Sequence, residues 1–222
     1  MKAVERENEQ YGYGKRETLS KAEETLFSFL GRSKLKILDI GCGTGYVALV
    51  NKNNGHDVKG IDFSSVAVQQ AVDLGIDCQV IDLDNGIPFE DNSFDVVWAG
   101  DVIEHVFDPI FLMKEVRRVL VEGGRLLCSF PYDLNLMNRL RVASGHSPHE
   151  TLYKKYGQIK HHTFVSLPLI KYLLKDFTIK ETRYLVKIPK VRDSYVTKSK
   201  LLLYFTYTIM IKAVACPGWM KK

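Results

Sequence analysis

The chain reads as an α/β protein built on a doubly wound, mostly parallel β-sheet, and three features lead there. Apolar runs of strand length alternate with stretches of helical periodicity as far as residue 130. A glycine-rich loop follows the first of these runs directly. Acids stand at the carboxyl ends of the first three runs, Asp39, Asp62 and Asp82, where ligands bind in such sheets. With 222 residues and 45% hydrophobic content, there is room for one well-buried domain, residues 1–222, and too little for two.

Taken in order, Leu19 to Leu30 reads as a first core helix. Ile37-Leu38-Asp39-Ile40 is a strand that runs into Gly41-Cys42-Gly43-Thr44-Gly45. Glycine tolerates positive φ and has no Cβ, so this loop can turn sharply and let a ligand lie against bare backbone. Tyr46 to Asn54 follows as a helix closed by Gly55, and His56 to Asp62 as the second strand. Ser64 or Ser65 caps a helix through Leu74, stopped by Gly75; strands at Cys78 to Ile81 and Phe94 to Ala99 come next. Asp108-Pro109 opens a helix in the favoured cap-then-proline order, with Phe111, Leu112, Val116, Val119 and Leu120 at helical spacing and Glu122-Gly123-Gly124 as its end. Arg125 to Phe130 is the fifth strand. Residues 131–163, with Pro131, Gly145, Pro148, Gly157 and four histidines, break the alternation and read as an insertion or lid over the site. A helix from Ser166 to Lys175 and a strand from Phe177 to Val186 resume the pattern.

The loop differs from a dinucleotide fingerprint in two ways: Asp39 precedes the first glycine, and the spacing is G-x-G-x-G rather than G-x-G-x-x-G. A carboxylate there repels a pyrophosphate and suits an amino group. S-adenosylmethionine carries an ammonium and no phosphate, NAD carries two phosphates, so the acid favours the first and disfavours a dehydrogenase. Asp62, 21 positions after Gly41, can accept both hydroxyl hydrogens of a ribose or cap the following helix. Phe63 offers an apolar face for adenine. Asp82 can accept from the adenine amine, with the Leu83 backbone at the ring edge, or simply form a turn.

On these residues the chain resembles the class I S-adenosylmethionine-dependent methyltransferases. Val80-Ile81-Asp82-Leu83-Asp84, Ile87-Pro88-Phe89, Ser93-Phe94-Asp95-Val96-Val97, Glu104-His105-Val106, Arg118-Val119-Leu120 and Glu122-Gly123-Gly124 look like successive motifs of the small-molecule members, over about residues 35–130. Ile81 to Gly86 and Ser129-Phe130-Pro131 are similar to the MetW-like branch. The resemblance implies a Rossmann-like fold with a seven-stranded sheet and helices on both faces. It also implies a pocket for S-adenosylmethionine, with S-adenosylhomocysteine as product, lined by Asp39, Gly41, Cys42, Gly43, Asp62, Asp82 and the fourth-strand end at Ala99 and Gly100. The activity expected is methyl transfer to a small-molecule acceptor, O-methylation favoured. The alternative is a non-catalytic, regulatory partner of a biosynthetic enzyme.

Because the sulfonium already activates the methyl group, the protein mainly has to align a nucleophile and, where needed, remove its proton. His105 is the candidate base, since a neutral imidazole takes a proton near pH 7; a structural histidine is the other reading. His161, with His162 beside it, either faces the acceptor or fastens the lid. Asp101, Glu104 and His105 match positions that hold Glu, Glu and His around a divalent metal in quinone-biosynthesis O-methyltransferases, and at i, i+3 and i+4 they would share one helical face. The first is one carbon shorter here, and no metal is expected. Upstream, Tyr11-Gly12-Tyr13-Gly14-Lys15-Arg16 either folds over the site, with Tyr11 near the methionine portion and Arg16 on its carboxylate, or forms a solvated basic arm.

The net charge of +5 belongs to the end of the chain, where residues 176–222 hold ten Lys or Arg against three acids. Four cysteines without a C-x-x-C pair fit reduced, buried thiols and a cytoplasmic compartment. Met1 to Gln10 has no apolar stretch of a secretory signal. The apolar and basic tail, 198–222, is short for a spanning helix, which takes about 20 residues. It reads either as a seventh strand at about Thr206 to Val214 or as an interfacial helix giving peripheral membrane contact. No aromatic and basic platform for nucleic acid is present.

Overall fold

The computed structural model describes residues 16–31, 33–147, 162–187 and 194–217. Helix α1 (Lys21–Phe27) starts in a capping box, Ser20 accepting from the Glu23 backbone while the Glu23 side chain accepts from Ser20 N–H. Then follow β1 (Lys36–Ile40), α2 (Tyr46–Asn53), β2 (Asp57–Asp62), α3 (Ser65–Asp73), β3 (Asp77–Val80) and β4 (Phe94–Gly100). After these come α4 (Pro109–Val119), β5 (Leu120–Pro131), α5 (Leu136–Ala143), α6 (Leu167–Leu173), β6 (Phe177–Val186), β7 (Tyr195–Thr197) and β8 (Thr206–Ala215).

The sheet runs β3-β2-β1-β4-β5-β8-β6-β7, eight strands among the described residues where seven were expected. The additional strand is the three-residue edge β7, paired antiparallel with the end of β6. Strands β3 to β5 are mutually parallel, and β8 enters antiparallel between β5 and β6. Thr206–Ala215 is therefore a central strand with Ile209, Met210 and Ile211 buried, which overturns the interfacial-helix reading of those residues. Among the described residues, no helix is long and apolar enough to cross a membrane.

Alternation along the strands feeds two cores, one on each face of the sheet. Leu38, Ile40, Val97, Ala99, Leu126 and Cys128 face α4 and α6; Ile37, Val96, Trp98, Leu127 and Met210 face α1, α2 and α3. Helix α4 stops at Val119, earlier than the glycine pair suggested. Gly123 and Gly124 lie inside β5, where pairing moves from Phe94↔Leu120 to Val96↔Arg125, so β5 bulges against β4. Of the 131–163 segment, the structure describes the end of β5, α5 and the residues on either side of 148–161; α5 buries none of its side chains.

Candidate functional site

Strand order reverses between β1 and β4, so a crevice opens past their carboxyl ends. The glycine loop leaves β1 there. Gly41 and Cys42 N–H both donate to Ile61 O (2.8 and 3.1 Å), Gly45 N–H donates to Cys42 O (3.0 Å), and Gly41, Gly43 and Gly45 have φ of 66°, 53° and 80°. A Cβ at Gly41 would lie 2.4 Å from Val102 Cγ2. Sterics as well as φ thus require glycine at this position. Gly45 caps α2 without a side-chain bond, leaving that helix start open toward the crevice.

Asp39 sits behind this loop with 2% of its surface exposed, and its Oδ2 has no hydrogen-bond partner among the described residues. Burial first, and then the negative neighbours Cys78, Glu23 and Asp62, push its carboxyl well above the ordinary range, against the opposing pull of Arg16. A buried acid of this kind is completed by a cation. Asp62, at the end of β2, accepts from Gly43 N–H (2.8 Å) and from Ser64 N–H (3.0 Å), while Ser64 caps α3 through Ala67 N–H (3.2 Å). Its carboxylate braces the loop and the helix start together. Phe63 beside it is half exposed.

Asp82 accepts from Asp84 N–H (3.0 Å) and Asn85 Nδ2 (3.1 Å), so its turn-forming role is present. The Leu83 side chain and Ala99 are buried in the core; Gly100 is partly open at the end of β4. Arg16 grips Glu23 with both terminal nitrogens (2.9 and 2.5 Å) and lies 5.7 Å from the Tyr46 ring centroid. Tyr46 opens α2, so Arg16 is held beside the glycine loop. Tyr11 and His161 lie outside the described residues.

Asp101, Glu104 and His105 do not share a helical face. Asp101 has φ 51°, and only Ile103–His105 forms a short 3₁₀ turn. The Glu104 side chain turns inward with 1% exposed and Oε2 unpartnered, whereas His105 faces outward, its Nε2 3.9 Å from Glu104 Oε1. Burial and the neighbouring Asp101 raise the Glu104 carboxyl well above its ordinary range. Among the described residues, no three His, Cys, Asp or Glu side chains are grouped to hold a metal ion.

Three further residues shape this end of the crevice. Ser129 Oγ donates to Asp101 Oδ1 (2.8 Å) and accepts from Asp101 N–H (3.0 Å), fixing the left-handed residue. Asp84 Oδ1 accepts from Phe107 N–H (2.9 Å), tying the turn after β3 to the entry of α4. His162 N–H donates to Glu104 O (2.9 Å), and its ring lies 4.4 Å from that of Phe107, tilted by 31°. In the sequence Asp84 stands only as the last residue of the Val80 to Asp84 stretch, and nothing there marks its partner.

Comparison with known proteins agrees with this geometry. Residues 38–128 match the family described as the methyltransferase domain. The demethylmenaquinone methyltransferase of Staphylococcus aureus (strain MRSA252) is 36% identical over 104 residues, 44% of this chain and 43% of that protein. The chain thus spans less than half the length of the curated relatives it matches. A solved S-adenosylmethionine-dependent methyltransferase from Thermotoga maritima superposes with a TM-score of 0.66 at 20% identity, over 87% of this chain and 86% of the other. Another from Mesorhizobium loti also gives 0.66 at 20% identity, over 88% and 98%. Residues 38–128 thus match the methyltransferase domain, and the solved neighbours share the fold of S-adenosylmethionine-dependent methyltransferases.

Proposed function

We propose that this chain binds S-adenosylmethionine and transfers its methyl group to a small-molecule acceptor, with oxygen the favoured nucleophile. The observation that carries this reading is the unpartnered Oδ2 of Asp39, buried behind a loop whose glycines leave backbone bare at the crevice. An ammonium would draw the proton from that carboxyl and complete it as a carboxylate; a pyrophosphate, itself an anion, would favour the neutral form and gain no such ion pair. The residues present therefore fit the group. Asp39 would hold the amino end, and Gly41, Cys42 and Gly43 would give room along the nucleoside. Asp62 would accept from the ribose hydroxyls at the end of β2. Phe63 would cover adenine, with Asp82 and the Leu83 backbone at its edge. Gly100, after buried Ala99, would bound the pocket on the β4 side. Arg16, with Tyr11 before it in sequence, would close over the methionine end.

When bound, the cofactor supplies a methyl group already activated by its sulfonium. The chain's task is to hold the acceptor in line and keep water out. His105, exposed and two residues before Phe107, whose ring meets that of His162, would accept the acceptor's proton. Those rings support an aromatic acceptor of quinol type, in keeping with the name of the Staphylococcus relative. Calorimetry with S-adenosylhomocysteine tests the cofactor reading: saturable binding is expected, and none at all overturns it. Transfer of labelled methyl from S-adenosylmethionine to quinols and to amines, with the labelled position in the quinol product read by NMR, tests the oxygen preference: a ring-carbon or nitrogen methyl overturns it.

A further inference from the structure

Cys42 and Cys78 are far apart in sequence, yet their Sγ atoms lie 3.1 Å from each other. Cys42 is the buried second residue of the glycine loop; Cys78 lies in β3 and is partly exposed. Strand β2 runs between them, and what lets the thiols meet across it is Gly60. A Cβ there would stand 2.8 Å from Cys42 Sγ and 3.0 Å from Cys78 Sγ. Gly60 pairs directly with Cys78 in the sheet, so the gap is fixed by strand register and not by a mobile loop. Three residues from three adjacent segments thus form one two-thiol site.

We propose that Cys42 and Cys78 form a reversible disulfide that clamps the glycine loop to β3 and weakens cofactor binding. The effect on the cofactor rests on the function proposed above; the disulfide does not. The thiol–thiol contact holds Cys78 below the ordinary thiol range and pushes Cys42 up. Cys78 is also the more exposed of the two, so it is the sulfur that meets an oxidant first. With a hydroperoxide, the Cys78 thiolate attacks one peroxide oxygen, the O–O bond breaks, and the hydroxide released takes a proton to become water. Cys42 sulfur then displaces hydroxide from the Cys78 sulfenic acid, forming the S–S bond, and the Cys42 proton leaves with that hydroxide as a second water. Two thiols lose two electrons and one peroxide is reduced. A dithiol reductant reverses the step by exchange.

A disulfide spans about 2.05 Å, so closure draws the sulfurs together by roughly 1 Å. The loop has little slack to give. Gly41 is wedged against Val102, and Gly43 N–H is bound to Asp62. Both contacts belong to the surface proposed to meet the nucleoside.

The test uses the whole chain, reduced, then treated with equimolar hydrogen peroxide, quenched with N-ethylmaleimide, and analysed by intact mass and peptide mapping. S-adenosylhomocysteine binding is titrated before oxidation, after it, and after added dithiothreitol. A linked Cys42–Cys78 peptide, an at least tenfold weaker Kd and recovery with dithiothreitol are expected. Cys78→Ser should bind like the reduced protein and ignore peroxide. Alkylation of both cysteines after peroxide overturns the disulfide, and a linked peptide with unchanged Kd overturns the clamp. Reduced protein that fails to bind S-adenosylhomocysteine overturns the function and the clamp together, while the peptide map still decides the disulfide.

Discussion

Asp39 and Gly41 carry opposite demands in one short stretch: the first needs a partner it lacks, the second needs an absence of atoms. Because burial raises the Asp39 carboxyl well above its ordinary range, the free protein holds a proton there that an ammonium must displace. Affinity for S-adenosylhomocysteine should therefore climb as pH rises from about 5, an ordinary carboxylate being already ionised by then. Asp39→Asn should lose at least tenfold in affinity, about 1.4 kcal/mol, and flatten that climb; calorimetry at several pH values reads both. Gly41→Ala meets Val102 at 2.4 Å with φ at 66° and should cost about 1–3 kcal/mol in denaturant unfolding. Val102→Ala in the same chain should return part of it. The acid before the glycines was legible because one spacing fixed its place. The turn at Asp82 was legible too, but the Gly43 N–H that Asp62 holds was not, since it lies in a loop whose folding no periodicity announces. The inward turn of Glu104 was also hidden, because the left-handed Asp101 breaks the helical spacing that would have put it beside His105.

Strands and helices were readable wherever an apolar period met a cap: Asp108 accepts from Ile110 and Phe111 N–H at the start of α4, and β6 spans the residues its pattern suggested. The end of α4 was misread because a glycine pair usually stops a helix, and here it makes the bulge that lets β5 begin at once. What anchors α4 is a tertiary device the sequence does not advertise. Arg118 donates to Glu115 and Asp91 and to the carbonyls of Ile87 and Phe89, while Ile87 N–H donates to Glu115, so one guanidinium fastens the whole 87–91 loop to the helix. Arg118→Met keeps much of the packing and removes these bonds, leaving two carbonyls and two carboxylates to find other partners. Destabilisation of about 2–4 kcal/mol is expected in urea melts, and hydrogen exchange should show faster opening of residues 87–91 than of β6.

Over the whole molecule, burial raises the carboxyls of Asp39, Glu104 and Asp101 among the described residues, so they keep protons in the folded state at pH values where the unfolded carboxyls, the highest at 4.5, have lost theirs. Folded protein then binds more protons than unfolded, so stability falls as pH rises above that value and continues falling until the raised folded values are passed. His56 acts the other way: burial lowers its imidazole below 6.5, and its contribution is lost as pH falls from 6.5 toward the folded value. Three acids oppose one imidazole across a shared window, which a single melting curve cannot separate. Glu104→Gln separates them, because an amide of the same shape stays neutral at every pH. At pH 4, where Glu104 is protonated in both states, wild type and variant should melt close together; at pH 8 the variant should be the more stable, by a few degrees for each kcal/mol recovered, about 2–4 °C in a chain of this size. Equal Tm differences at the two pH values would mean that Glu104 is not the buried proton holder described. The cofactor sharpens the distinction: an ammonium at Asp39 removes that proton from the account. Saturating S-adenosylhomocysteine should therefore reduce the alkaline loss in wild type and reduce it further in Glu104→Gln, where Asp101 alone of the three remains.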